Sequence, residues 1–208
     1  MTLEQKTNKA LAAKPHLRAA IAKEFDPEKT DAIWADAYDR LLIMYKDHSD
    51  LPKGVARHTD HAIFPAAAIY LAIKNVDETK AFAIMKEQMA IKAKEAGASY
   101  ARMTRSSIGR KFFMFMWEKL SHTLFGEASG FKNVFYPEPK GCSRMDITEC
   151  PYNKYLTKLG CPEINILFCE NDIYTYGNLL GLKFTRTKTI GAGDELCDFK
   201  IEIEKGRA

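Results

Sequence analysis

Apolar positions in the first half of the chain recur at helical spacing. Leu17, Ile21 and Phe25 follow one another at i, i+4 and i+8 behind Pro15. Asp26-Pro27 then supplies an N-cap and a first-turn proline for the next helix. That helix carries Ile33, Trp34, Ala37, Tyr38, Leu41, Met44 and Tyr45 on one broad stripe, with Asp36, Asp39, Arg40 and Lys46 opposite. Leu51-Pro52-Lys53-Gly54 reads as a turn. The apolar run Ile63–Ile73 contains Pro65, which starts or kinks its helix. Asp77 caps a helix with Phe82, Met85 and Met89 inward, predicted to end near Gly97. From about Ser106 to Gly126 the pattern is apolar nearly all round (Phe112, Phe113, Met114, Phe115, Met116, Trp117, Leu120), which predicts a long helix central to a core.

After Gly130 the period changes. Phe131–Tyr136 and Ser143–Glu149 read as strands joined by a loop rich in Pro137, Pro139 and Gly141. Two short helices follow, Pro151–Leu159 and Pro162 to about Tyr176. Strands Leu182–Ile190 and Leu196–Ile203 come next, joined through Gly191-Ala192-Gly193-Asp194-Glu195 as a hairpin loop. In the last strand Cys197, Phe199, Ile201 and Ile203 share one face, and Asp198, Lys200, Glu202 and Glu204 the other. The expected fold is α+β: an N-terminal helical layer over residues 1–130, then a β-β-α-α-β-β unit over 131–208. Its antiparallel four-stranded sheet packs on the long apolar helix in one integrated body.

Composition adds exclusions. The 208 residues are 46% hydrophobic and 28% charged, which excludes disordered and collagen-like classes. A net charge of +4 is too slight to argue for nucleic acid. Arg102, Arg105, Arg110 and Lys111 lack aromatics placed for stacking on bases. The stretch Met1–Lys14 has no apolar signal-peptide core, and no run is long enough to span a bilayer, so the expected compartment is the cytoplasm. There the five cysteines stay reduced and read as core residues, nucleophiles or metal ligands. A homo-oligomer fits this composition as well as a monomer does.

Candidate chemistry gathers late in the chain. Cys150, ahead of Pro151, falls at a helix N-terminus, where amides and the helix dipole favour a thiolate; a small capping or buried cysteine is the plainer reading. Cys169 and Asp172 stand at i and i+3 with Tyr176 a turn beyond, so the three share a helix face. Cys197 lies on an apolar strand face, which suits a core residue. Its neighbour Asp198 points away unless the strand is irregular. Cys142 and Cys161 fall in turns. Arg186, read as mid-strand, suits a bidentate grip on a carboxylate or a cross-strand salt bridge to Asp198 or Glu202. His58 and His61 are spaced for one helical face, either as half a metal site or as surface decoration. No cysteine pair has zinc-finger spacing, and Gly191-Ala192-Gly193 opens no helix, so it cradles no phosphate.

Cys150-Pro151-Tyr152, Leu159-Gly160, Phe168-Cys169-Glu170 with Asp172, then Phe184, Arg186, Thr189, Gly193 and Cys197-Asp198-Phe199 resemble the L-2-amino-thiazoline-4-carboxylic acid hydrolase family, the match lying mainly in residues 142–203. The resemblance implies hydrolytic opening of a small cyclic amidine carrying a carboxylate, giving an N-carbamoyl amino acid. It gathers Cys150, Cys169, Cys197, Asp172 and Asp198 as catalytic candidates, and Arg186, Thr189 and Tyr176 as substrate-binding candidates. In the arrangement expected from this, the Cys150 thiolate attacks the ring, and Asp172 or Asp198 holds the amidinium and relays protons. Arg186, supported by Thr189, pairs with the carboxylate. A rival arrangement holds a divalent metal, with its bound hydroxide, on Cys150, Cys169 and Cys197 with a carboxylate or His61. The unit also resembles, more loosely, the small-ligand-binding domain of four-vinyl reductase-type proteins, which implies a non-catalytic binder.

Overall fold

The computed structural model describes residues 1–204. Helices α1 (Leu3–Ala12) and α2 (Pro15–Glu24) precede α3 (Pro27–Asp47), which Asp26 caps by accepting from the Lys29 amide at 2.8 Å. The sequence reading assigned no helix to the first of these. Its N-terminus is closed by a capping box between Thr2 and Gln5. Next come α4 (Lys53–His58), a π turn (Thr59–Ile63) and α5 (Phe64–Lys74) in one continuous helical run. Asp77 and Ser106 cap α6 (Glu78–Thr104) and α7 (Ser107–Leu124). The α+β unit follows as β1 (Lys132–Tyr136), β2 (Cys142–Glu149), α8 (Pro151–Lys158), α9 (Asn165–Tyr176), β3 (Leu182–Thr185) and β4 (Cys197–Ile203). Its four strands form one antiparallel sheet in the order β1-β2-β4-β3.

The expected β-β-α-α-β-β order is present, but the long apolar helix is not. In α7 the aromatic run exceeds what one helix face can bury. Phe113 and Met114 turn inward, whereas Phe112 and Phe115 remain 54% and 51% exposed, with Ile108 and Leu120 also outside. The buried apolar helix is α5 instead, with Phe64, Ile69, Tyr70 and Ile73 fully enclosed between α3 and α6. Leu156 of α8 and Leu167 of α9 join that same helical core. Phe113 and Trp117 do reach the sheet side, packing around Leu182, Ile201 and Phe184.

Two further expectations change. Helix α6 does not stop at Gly97 but runs to Thr104. Gly97 is buried where α6 crosses α9, and a Cβ there would collide with the Tyr174 carbonyl, so the residue serves helix contact and not helix termination. The β3 strand ends at Thr185, not Ile190, and a 3₁₀ turn (Ile190–Ala192) leads toward β4. Arg186 therefore leaves the sheet and can turn toward α9. In β4 the expected alternation holds, with Cys197, Phe199 and Ile201 buried. No helix among the described residues is long and apolar enough to cross a membrane.

Candidate active site

One cavity of about 280 Å³ lies between α9, the start of α8, the α7–β1 connection and the inner face of the sheet. Its walls include Cys150, Cys169, Cys197, Asp172 and Tyr176, so five of the eight catalytic and substrate-binding candidates meet there. Local sequence explains the convergence. Pro151 starts α8 and leaves Cys150 at its N-cap. Cys169, Asp172 and Tyr176 present one face of α9, and strand alternation aims Cys197 inward. Aromatic side chains make up much of the remaining wall: Phe125, Phe131, Tyr152, Phe168 and Phe199.

The polar anchor is an ion pair. Arg186 Nη1 donates to Asp172 Oδ2 at 2.9 Å and to the Cys169 carbonyl at 2.7 Å. The Arg186 side chain is 7% exposed and Asp172 31%. Burial raises the Asp172 carboxyl to about 7, against the pull of the Arg186 charge and hydrogen bond. At neutral pH this acid is poised between its two forms, a property suited to proton transfer. Arg186 spends Nη1 on Asp172 and the α9 backbone, and its guanidinium does not line the cavity.

Cys150 departs from the expected thiolate. Burial pushes its thiol up to about 12, and the amides of Asn153 and Tyr152 at the helix start only partly oppose this. A helix N-terminus favours an anion, but desolvation in an aromatic-walled cavity outweighs it. Burial likewise raises the Cys169 thiol. Cys197 Sγ accepts from the Ile190 amide at 3.3 Å and lies 3.5 Å from Thr189 Oγ1. Thr189 is buried behind the thiols and does not line the cavity.

Asp198 falls outside the site. Its Oδ1 accepts from the Thr187 and Lys188 amides at 2.7 and 2.6 Å, and its Oδ2 from the Thr187 hydroxyl at 2.6 Å. Burial alone would raise this carboxyl, but those hydrogen bonds hold it below the ordinary carboxylate value. It therefore secures the β3–β4 connection, as its outward strand register requires. His61 is also elsewhere, exposed in a cleft with Lys6, Tyr45 and Asp60. His61 is therefore not brought to the three thiols, which share their cavity with the Asp172 carboxylate instead. Among the described residues no three His, Cys, Asp or Glu side chains converge in a way that would hold a metal ion.

His58, by contrast, reaches the cavity. Its Nε2 faces the Leu124 carbonyl at 2.9 Å, and its Nδ1 faces the Tyr152 hydroxyl at 3.1 Å. A carbonyl only accepts, so the proton is assigned to Nε2, and Nδ1 of the neutral ring accepts from Tyr152. Burial lowers the His58 pKa, in keeping with that neutral form. The π turn separates the two histidines: Phe64 N–H bonds back five residues to the Thr59 carbonyl, and the wider turn breaks the shared face expected for positions 58 and 61. Tyr152 stood in the sequence pattern beside Cys150. Its pairing with His58, 94 positions away, left no local signal. Asn165 is a second residue the sequence reading missed: it lines the cavity at 3% exposure, its Nδ2 donating to Asn153 Oδ1 at 3.0 Å.

A family model described as L-2-amino-thiazoline-4-carboxylic acid hydrolase matches residues 56–201. The chain belongs to this hydrolase family. The matched span begins inside α4 and so includes His58, α5, α6 and α7 as well as the thiol-bearing unit, well beyond the stretch that carried the sequence resemblance. No curated protein and no solved structure matches the chain.

Proposed function

We propose that this chain is a hydrolase that opens a small cyclic amidine, the family's description naming 2-amino-thiazoline-4-carboxylate as such a ring, with Asp172 as the acid–base group. The carrying observation is the Asp172 carboxyl, raised to about 7 at the wall of a cavity of about 280 Å³ and held in place by Arg186. In its ionised form Asp172 takes a proton from water as the water oxygen bonds to the ring carbon between sulfur and nitrogen. The C=N electron pair moves onto nitrogen. The ring C–S bond then breaks, and sulfur leaves with the electron pair and a proton relayed by Asp172. The carbon–oxygen double bond of an N-carbamoyl product forms as the new hydroxyl gives its proton to the nitrogen that took up the C=N electron pair, or to water where the ring entered already protonated there. Cys150 and Cys169, whose thiols burial raises, serve in this scheme as protonated thiols against the ring beside Cys197, with Tyr152 fixed by His58.

Ring opening at C–S unmasks one thiol per turnover, so the test follows thiol release into the low-mass fraction after removal of the protein. Wild-type protein is expected to release it, and Asp172→Asn to be slower by about 10²–10⁴-fold. Equal rates for the two proteins would remove Asp172 from the mechanism. The aromatic walls also favour a second reading, a non-catalytic binder of small apolar ligands. Saturable binding of the ring with no thiol release would support it.

A further inference from the structure

Helix α7 carries two apolar faces, and the fold uses one. Phe113, Met114 and Trp117 pack toward α6 and the sheet. At about 100° per residue, Ile108, Phe112 and Phe115 gather within about 60° on the opposite side of the helix. Ile108 is 80% exposed, and both phenylalanines are half exposed. Apolar residues scattered singly over a surface are ordinary, but a row of large ones on one helix marks an interaction face. Lys119 completes the row, its ammonium 4.4 Å from the centre of the Phe115 ring, so that its stem extends the apolar strip.

The spacing and the flanking charges say what covers this face. Ile108 and Phe115 fall at d positions of a heptad, Phe112 and Lys119 at a positions, and Lys111 and Glu118 at g positions. Lys111 and Glu118 are both exposed, and among the described residues neither has an ion-pair partner in its own chain. In an antiparallel pair about a two-fold axis, g positions meet g positions. Lys111 then faces Glu118 of the partner subunit, and Glu118 faces Lys111 of the partner subunit. The same register lays Phe112 against the partner's Phe115, and Ile108 against the stem of the partner's Lys119. A parallel pair would set Lys111 against Met116 and Glu118 against Thr123, leaving both charges unmatched. An anionic bilayer would accept the apolar row and Lys111 but repel Glu118.

We infer that the outer face of α7 is the contact surface for a second copy of this chain. The two α7 helices pack antiparallel about a two-fold axis, with Phe112 and Phe115 at the centre and Lys111–Glu118 pairs on the flank. The inference is independent of the hydrolase reading.

Sedimentation velocity of the full chain over about 1–100 µM tests this. With one helix of each chain in contact, the dimer is expected at the weak end of specific interfaces, dissociating on the order of 10 µM. Phe115→Asp, at an exposed position that does not threaten folding, should be monomeric throughout. Lys111→Glu and Glu118→Lys, each alone, set like charges on one another across the axis and should weaken the dimer about tenfold. An equimolar mixture of these two variants should associate at least as tightly as the wild type, because an all-acidic flank then meets an all-basic one. A wild type that stays monomeric over the whole range, a dimer indifferent to Phe115→Asp, or a mixture no more associated than its components overturns the inference. Vesicles of phosphatidylserine and phosphatidylcholine are the control: a monomeric wild type that binds them through Phe115 overturns it in favour of a membrane surface.

Discussion

Replacing Asp172 by Asn asks whether the site is held at a cost in stability. The folded-state carboxyl titrates near 7, against an ordinary value of 3.8. The sign follows from proton uptake: between those two values the native chain holds a proton that the unfolded chain has lost, so stability falls as pH rises. Each pH unit in that window is worth about 1.4 kcal/mol. From pH 5 to pH 7 the wild type should therefore lose about 2 kcal/mol through this group, approaching about 3 kcal/mol by pH 8, where the curve levels off. Asn carries no titrating proton and resembles the neutral acid in shape. The variant should match the wild type near pH 5 and exceed it by up to about 3 kcal/mol at pH 8, less what Arg186 loses with its charged partner. Urea unfolding of both proteins at half-unit steps from pH 5 to 8 measures this, and the difference between the curves cancels the other titrating groups. Parallel curves would refute the reasoning, since Asp172 would then titrate at its ordinary value in the fold.

Other expectations concern its neighbours. Cys150→Ser should retain ring opening within about tenfold, because a thiol pushed up to about 12 is not a resting nucleophile; complete loss in a folded variant would restore the covalent route. Tyr152→Phe leaves His58 Nδ1 without its donor and should cost about 1–3 kcal/mol in urea unfolding, while the His58 pKa, followed by NMR, rises. Gly97→Ala drives a methyl group into the Tyr174 carbonyl, and a loss of about 1–3 kcal/mol should come with weaker ligand binding as α9 shifts; an unchanged midpoint would show that the helices yield freely.

What the sequence made legible was local. Asp26-Pro27 and Asp77 marked helix starts because capping is a matter of three or four neighbouring residues. Period alone placed Cys169, Asp172 and Tyr176 on one face of α9 and Cys197 on the inner face of β4. What stayed hidden depended on distant partners. The aromatic run of α7 looked central because composition does not say how many faces a helix will be offered. Gly97 resembled a stop because the α9 backbone it admits lies far along the chain. Cys150 suggested a thiolate because the helix start is visible in sequence and the surrounding aromatics are not. Arg186 and Asp198 were read as lying on adjacent strands. The early end of β3 instead sent one to α9 and left the other closing a loop.

The π turn at Thr59–Ile63 gives the helical half a rotational setting. Its loosened carbonyls are picked up from outside the helix, that of Asp60 by the Tyr45 hydroxyl at 2.8 Å and that of His61 by Lys14 at 3.3 Å. One residue of an α-helix corresponds to about 100° of rotation. Removing a single residue from the turn would let the run wind as an ordinary helix, and with α5 clamped in the core the whole rotation would fall on α4. His58 would swing off Tyr152 and the Leu124 carbonyl, although no side chain of the cavity had been changed. The wall of the thiol cavity is in this sense indexed by one surplus residue, in the turn directly after the histidine it sets.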